Sequence, residues 1–590
     1  MSKFMFTPTR RAHLISSFGP GALQLSQNGV CGIICGPPVW LESLKSMEGA
    51  TPTLFENQTI LDSHMEHPLG VGRLIAPWPL GDDPRPRSDW FVPAARFPLY
   101  EYCVNHACRA LTRRDPGDHE IGRCVKCASG KRRKWQTVQV PVVLACSEGH
   151  LADIPWSRWI HETGGPNCSY PDDLQFQPGS LSDQPLIVCK SCQRRRVLGR
   201  EDRFSCGGER PWLPNLSPEQ CGRSAHVLER TSTSVYYPTT VSSLAVPPPG
   251  VDNPALVQKL HSSSAIRSQR RTYAVDQSES SIEEIVRLSA QLGVRTDAAQ
   301  VKRHLAALNN ERTDAEDRPR ELDALLTRRP RPNDGYGLPD LIVEPQDMTE
   351  YRTVPVLDLV TSVSLVPRLR EVRVLTGFSR IRPGKGSVNY EQLWGHPMPG
   401  RGQDIDKSGW LPAYEVFGEG ILFQLDRNAV ATWEHGIAAV AAGRPLGQFG
   451  RPREYLIHTL AHMVMRTTAT YAGYPLPSLR ERIYDRDERL AFLIYTSAGD
   501  IQGTLGGLVE LGRPGRLEVL LEEATDRIRW CTTDPVCIEG SIELGLPDTT
   551  LAGACHHCLL LPETSCERRN RQLDRAAVVG LDGRGGLRGL

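Results

Sequence analysis

The chain has 590 residues, 39% of them hydrophobic and 23% charged, which is the composition of a soluble globular protein with room for roughly three or four domains. A formal net charge of +1 excludes any chain-wide electrostatic argument about nucleic acid, so local patches must carry that question. The start, MSKFMFTPTRRAH, lacks the apolar core of a signal peptide, and the apolar runs, such as VPVVLAC at 140–146, fall far short of the roughly 20 residues of a membrane span.

In chain order, residues 1–100 hold apolar stretches broken by Gly and Pro, with a turn at Phe18–Gly21, and form an expected partner-docking region. Residues 101–230 carry ten of the seventeen cysteines; short β-like segments such as QTVQVPVVLAC alternate there with turns, as in zinc-ribbon-like modules. Residues 231–335 read as a linker, marked by PPPG at Pro247–Gly250, and a helical insert. In SIEEIVRLSAQLG, Ser281 with Glu284 forms a capping-box signature; Ile282, Ile285, Val286 and Leu292 share a helical face, and Gly293 suits the stop. A second helix places Val301, Leu305 and Leu308 on one side, and the charge-rich ERTDAEDRPRELDALLTRRPR closes the insert. Residues 336–450 return to β patterning in REVRVLTGF and GILFQL. The last region, 451–590, opens with a helix through EYLIHTLAHMVMR, continues through the strand LAFLIYT and the turn GTLGG, and ends in a cysteine cluster. The expected fold is therefore α+β and multidomain, with zinc-ribbon-like modules, a helical insert and a mixed C-terminal domain.

In the cytoplasm, the expected location, thiols stay reduced, so seventeen cysteines point to metal rather than disulfides. Zinc takes four soft ligands in a tetrahedron, and a C-x2-C knuckle supplies two of them. Cys103, Cys108, Cys124 and Cys127 have the C-x4-C-x15-C-x2-C spacing of a zinc ribbon. Cys189, Cys192, Cys206 and Cys221 form a second candidate set, with His226 able to replace Cys221. Cys146, His150 and Cys168 lie near these sets; the leading expectation is that Cys146 and His150 orient a turn without binding metal. A third set is Cys537, Cys555, Cys558 and Cys566, where Cys531 could replace Cys537 or Cys566. Two to four structural zinc ions follow. Sites closed by four thiolates leave no position for water, so they brace a fold and do not hydrolyse anything.

No G-x4-G-K-[ST] loop is present, which argues against a P-loop motor in this chain. HTLAH at His458–His462 is the one catalytic-looking motif, but a zincin needs Glu where this chain has Thr459. A metal-dependent nuclease or hydrolase on His458 and His462, with Asp485 or Asp487 as carboxylate, is the alternative it leaves open. Lys131, Arg132, Arg133 and Lys134 follow the first cysteine set, and Lys190, Arg194, Arg195 and Arg196 straddle the second knuckle. Such rigid basic loops suit phosphate contact, with Trp135 and Phe204 nearby for base stacking. Arg568, Arg569 and Arg571 in ERRNRQLDR read instead as an ordinary helix with i,i+3 and i,i+4 pairs.

Several stretches together resemble the DrmB family of the bacterial DISARM anti-phage system: RRAHLISSFGPGA, ACSEGHLADIPW, LREVRVLTGFSR, LPAYEVFGEGILFQL, SLRERIYDRDE, IYTSAGDIQGTLGGLV, CTTDPVC and CHHCLLLPETSCERRNRQLDR. They span nearly the whole chain, leaving out the helical insert. The resemblance implies a bacterial cytoplasmic, non-ATPase partner of a superfamily-2-type helicase, DrmA. It also implies a C-terminal cysteine-rich helicase-associated domain, contact with DNA of single-stranded character, and a methyltransferase in the same system. An adaptor that never touches DNA is the remaining alternative.

Overall fold

The computed structural model describes residues 11–40, 58–60, 62–66, 68–71, 73–77, 92–118, 120–128, 135–162, 168–179, 184–244, 246, 256, 259–260, 263–309, 317–329, 340–383, 389–397, 409–442, 450–485, 489–497, 506–539, 553–562, 564–581 and 584–587. They fall in two compact units, 1–242 with 373–414, and 243–372 with 415–590. Among them, no helix is long and apolar enough to cross a membrane. The PPPG run, most of GTLGG, and Lys131, Arg132, Arg133 and Lys134 lie outside the described residues.

The first unit is assembled from small antiparallel sheets. Tyr100–Cys103 is flanked by Leu111–Arg113 and Thr137–Gln139; Leu186–Cys189 is flanked by Leu174–Gln177 and Arg195–Val197. A four-stranded sheet runs Leu151–Ala152, Val142–Cys146, Ser224–Glu229, Arg203–Ser205. All five residues of Val142–Cys146 are buried, which is why its sequence is unbroken VVLAC rather than alternating. Trp156, Trp159, Phe176, Ile187 and Leu144 share the core between these sheets.

One arginine ties three separated motifs of this unit. Arg380 is fully buried; its Nε donates to the Gly149 carbonyl at 2.7 Å and its Nη2 to the Gly21 carbonyl at 2.9 Å, with a further bond to Val235 O. The guanidinium also lies over the Phe378 and Trp212 rings, at 4.7 and 5.2 Å from their centroids. Burying a cation is tolerable only when its donors are satisfied, so the three carbonyls must be held in place. Gly149 holds its own carbonyl there with a φ of +90°, in the left-handed region.

The second unit centres on the helix Pro452–Ala472. Pro452 sits in its first turn, Gly473 (φ +71°) ends it, and every residue from Tyr455 to Met465 is buried. A helix apolar on all sides belongs in a core, and this one packs with the helix Leu517–Ile528 and with strands Leu479–Tyr484 and Leu490–Thr496. Those strands pair antiparallel, Leu479 opposite Thr496, and Leu490–Tyr495 pairs in turn with Gly420–Leu425 of the strand Leu411–Leu425. Glu419, fully buried beside them, accepts from the Tyr474 hydroxyl (2.7 Å) and from the amides of Leu508 (2.9 Å) and Val509 (3.1 Å), so one carboxylate caps the start of the short helix Gly507–Leu511.

The helical insert forms Ser264–Asp276, Glu279–Gln291, Ala298–Asn309 and Asp317–Leu326. The cap of the second of these is Ser278, whose hydroxyl accepts from the Ser281 amide, not Ser281 itself. Asp276 and Ser278 start the helix three residues earlier than the S-x-x-E pattern implies. Ile282 and Ile285 are buried as expected, but Leu292, one residue past the helix, is 44% exposed. The segment after Cys566 also departs from expectation: it is turns, with Arg569, Asn570 and Gln572 at positive φ, so its arginines form no helical pairs.

Candidate metal centres

All cysteines except Cys31 and Cys35 fall in five compact clusters of potential ligands, and each cluster offers four side chains with ligand atoms within 4.8 Å of one another. For a tetrahedral zinc with Zn–S of 2.3 Å and Zn–N near 2.05 Å, sulfur–sulfur edges come to about 3.8 Å and sulfur–nitrogen edges to about 3.5 Å. A disulfide would need about 2.05 Å.

The first cluster is the expected quartet. Cys103 Sγ lies 3.8 Å from Cys127 Sγ, and Cys108 Sγ lies 3.7 Å from Cys124 Sγ. Cys103 ends the strand Tyr100–Cys103, Cys108 follows a tight turn at Asn105, and Cys124 and Cys127 bracket a single helical turn. Among the described residues the one other buried apolar member of this cluster is Ala110, so an ion would supply what a hydrophobic core does elsewhere.

The expected second quartet does not assemble. Cys189 and Cys192 join His161 and Cys168, while Cys206 and Cys221 join Cys146 and His150. In the former group, Cys168 and Cys189 sulfurs are 3.6 Å apart and Cys192 lies 3.4 Å from His161 Nε2. His161 Nδ1 faces the Ser157 carbonyl at 2.6 Å, which leaves Nε2 as the metal-facing nitrogen. In the latter, His150 Nδ1 lies 3.3 Å from Cys146 and 3.5 Å from Cys206, and its Nε2 meets Glu219 at 2.5 Å. Cys146 and His150 therefore belong to a ligand cluster instead of merely shaping a turn. His226 stays outside, on the strand Ser224–Glu229. Burial would raise the Cys146 thiol, but the His150 ring outweighs it and brings it down to about 7; the same bond lifts His150 to about 9. Without metal the pair is thus a thiolate beside an imidazolium, and metal binding would release the imidazole proton.

Three members of the third expected quartet come together. Cys537, Cys555 and Cys558 are completed by Cys531, not Cys566. Sulfur separations are 3.4 Å for Cys531–Cys555, 3.7 Å for Cys537–Cys558 and 3.8 Å for Cys555–Cys558. His556 and His557 are exposed, and His557 Nδ1 meets the Thr533 hydroxyl at 3.3 Å. Arg575 braces this loop by bonding Asp534 and, at 3.2 Å, the Ile528 carbonyl.

Cys566 sits instead with His458, His462 and Glu481, all buried. Glu481 has no motif to mark it; the strand Leu479–Tyr484 brings it under the helix. Asp485 is held by Arg568, and Asp487 lies outside the described residues. Among the described residues both histidines are fully buried.

Of the expected phosphate contacts, Lys190 and Arg195 are exposed. Arg194 donates to the His161 carbonyl at 3.0 Å, and Arg196 donates to the Trp159 carbonyl at 2.6 Å with its guanidinium 4.3 Å over the Trp159 ring. Phe204 packs on the same ring. Arg194, Arg196 and Phe204 hold the knuckle together, which leaves Lys190 and Arg195 to face outward.

Comparison with known proteins agrees with this arrangement. Residues 460–559 match the MrfA Zn-binding domain, a span that contains the Cys531, Cys537, Cys555 and Cys558 cluster, and residues 10–237 match a domain of unknown function, DUF8724. The chain is 26% identical over 534 residues to the DISARM protein DrmB of Bacillus paralicheniformis, covering 83% of this chain and 89% of that protein. The Zn-binding match and the cysteine-rich tetrads together support structural zinc sites.

Proposed function

We propose that this chain, assigned to the DrmB family of the DISARM defence system by that similarity and by its Zn-binding domain, is a zinc-braced scaffold that pairs with a superfamily-2-type helicase in the bacterial cytoplasm and extends its grip on foreign DNA. The observation that carries the reading is that each cysteine-rich tetrad offers four protein ligands and so has no vacant position at which zinc would activate water. Zinc here fixes loops; its chemistry is to cross-link thiolates and imidazoles. His161 and His150 turn one ring nitrogen inward because the other is held from outside. The exposed Lys190 and Arg195, on a knuckle stiffened by Arg194 and Arg196, support phosphate contact, and Lys131, Arg132, Arg133 and Lys134 are a second basic run in the sequence. DNA held this way is bound by charge neutralisation and counterion release, which gives affinity without base readout.

The test is co-expression with the helicase subunit, size-exclusion chromatography, and DNA titration of each protein alone and of the pair. Co-elution and tighter binding by the pair are expected. Replacing Lys190 and Arg195 with Ala should flatten the slope of log affinity against log salt by about 0.7 per lost single-strand phosphate contact. A pair that fails to co-elute removes the helicase reading; an unchanged slope removes the DNA contact and leaves a pure adaptor.

A further inference from the structure

We infer that His458, His462, Glu481 and Cys566 form a fifth zinc centre, distinct from the four cysteine-rich tetrads, which fastens the segment after Cys558 to the central helix.

The argument begins with the hydrogen atoms. His462 Nδ1 lies 2.9 Å from the Leu559 carbonyl and His458 Nδ1 lies 3.3 Å from the Gln572 carbonyl. A carbonyl can only accept, so each Nδ1 carries a proton, and in the neutral ring each Nε2 presents a lone pair. The His462 lone pair faces a carboxylate; the His458 lone pair faces the same carboxylate and the Cys566 sulfur, which as a thiol can donate to it. His458 Nε2 is 3.0 Å from Glu481 Oε1 and 3.2 Å from Cys566 Sγ; His462 Nε2 is 3.4 Å from Glu481 Oε2. Neither His462 Nε2 nor Glu481 Oε2 has a hydrogen-bond partner, and both residues are fully buried. A neutral His462 ring whose Nε2 faces a buried carboxylate oxygen is a pair of unsatisfied acceptors that a core should not tolerate.

A divalent cation resolves it. Two imidazole nitrogens, one carboxylate oxygen and one thiolate are a tetrahedral zinc donor set. For such a site a nitrogen–oxygen edge is about 3.4 Å and a nitrogen–sulfur edge about 3.5 Å, so the observed 3.0–3.4 Å separations need only slight expansion. Charge balances too: the thiolate and carboxylate neutralise the ion, leaving a net neutral centre in an apolar core. The surroundings complete the design expected of metal-bound histidine, with each ring's outer nitrogen fixed by a carbonyl. The Cys566 sulfur also accepts from the Asn570 amide at 3.2 Å, and Glu481 Oε1 accepts from the Glu567 amide at 3.3 Å. His462 and Glu481 lie inside the span that matches the Zn-binding domain, while His458 and Cys566 lie just outside it, so the matched span holds only half of this donor set. Leu559, which accepts from His462, is the residue after Cys558, so the two C-terminal centres share one stretch of chain.

The test uses the full chain, loaded with excess zinc, freed of unbound metal by gel filtration and counted by native mass spectrometry with elemental analysis. Five ions per wild-type chain are expected; four would overturn the inference. Cys566→Ala and His462→Ala should each lose one ion, and Glu481→Gln should weaken retention of that same ion at least tenfold in chelator competition. A Cys566→Ala or His462→Ala variant that keeps five ions, or a Glu481→Gln variant that retains all five as tightly as wild type, also overturns it. Cobalt loading supplies a readout independent of variant folding. The wild-type spectrum should contain a component with one thiolate and two imidazoles, alongside the thiolate-rich ones, and a spectrum made only of the latter refutes the site. This inference stands apart from helicase pairing and DNA contact, which neither measurement touches.

Discussion

Replacing Cys124 with Ser tests the zinc-ribbon module at its weakest point. Structural zinc sites carry an apparent binding free energy of about 10–16 kcal/mol. Shared among four near-equivalent ligands, one thiolate contributes about 3–4 kcal/mol, or roughly two to three orders of magnitude in affinity. The module has little to absorb that loss, because around the four sulfurs the one other buried apolar residue among the described residues is Ala110, Leu111 packing into the neighbouring core. Local order from Cys103 to Cys127 should therefore go with the metal. The strands Leu174–Gln177 and Leu186–Cys189, which belong to a different core, should survive. The assay is zinc release to a competing chelator, read beside hydrogen exchange across 103–127. The expected result is loss of one zinc per chain and fast exchange confined to that segment. Cys31→Ser serves as control, since Cys31 lies in no cluster. A Cys124→Ser protein that holds its zinc as tightly as wild type would refute the assignment.

Other consequences are open to direct measurement. Cys146→Ser and Cys168→Ser should each cost one zinc and the double variant two; if Cys189, Cys192, Cys206 and Cys221 shared one ion, neither single change would remove any. Arg380→Met strands three buried carbonyls and should cost about 3–5 kcal/mol in urea unfolding, a loss under 1 kcal/mol being inconsistent with the contacts described. Burial pushes the thiols of Cys31 up to about 11 and Cys35 up to about 12, so both should resist iodoacetamide at pH 8 until the protein unfolds, and rapid native alkylation would contradict their placement. Burial also pushes Asp153 up to about 7 against its hydrogen bonds from the Leu99 amide. A carboxyl that binds its proton more tightly folded than unfolded makes the protein less stable as pH rises from about 4 to about 7. Asp153→Asn should therefore gain on wild type between pH 5 and pH 8, and a constant difference would count against the shift.

What the sequence reveals and hides follows from the range of each interaction. The first quartet is legible because turns of two to four residues set its geometry. The central helix and the strand LAFLIYT are legible from unbroken apolar runs. The second and third clusters are not, because sheet register decides them. Cys146 stands opposite Ala225, and Ser205 opposite Ser224, which carries Cys206 and Cys221 to Cys146 and His150. Cys189 stands opposite Leu174, near Cys168, and the short helix Trp156–His161 brings His161 to the same place. The pattern C-x3-H at Cys146 and His150 was the available clue. The spacing groups Cys566 with the last knuckle, whereas the buried run Leu559–Leu561 carries the chain away from that knuckle toward His458. Glu481 was invisible because a single carboxylate in a strand has no spacing signature.

The most direct test of the account is the amount and coordination of zinc in the intact chain, isolated without denaturation. Elemental analysis should find at least four tightly held ions per chain, one for each cysteine-rich tetrad, and X-ray absorption should show four-coordinate zinc dominated by sulfur with a minority of nitrogen. Fewer than four ions after loading, or a signal dominated by oxygen and water ligands, would contradict it.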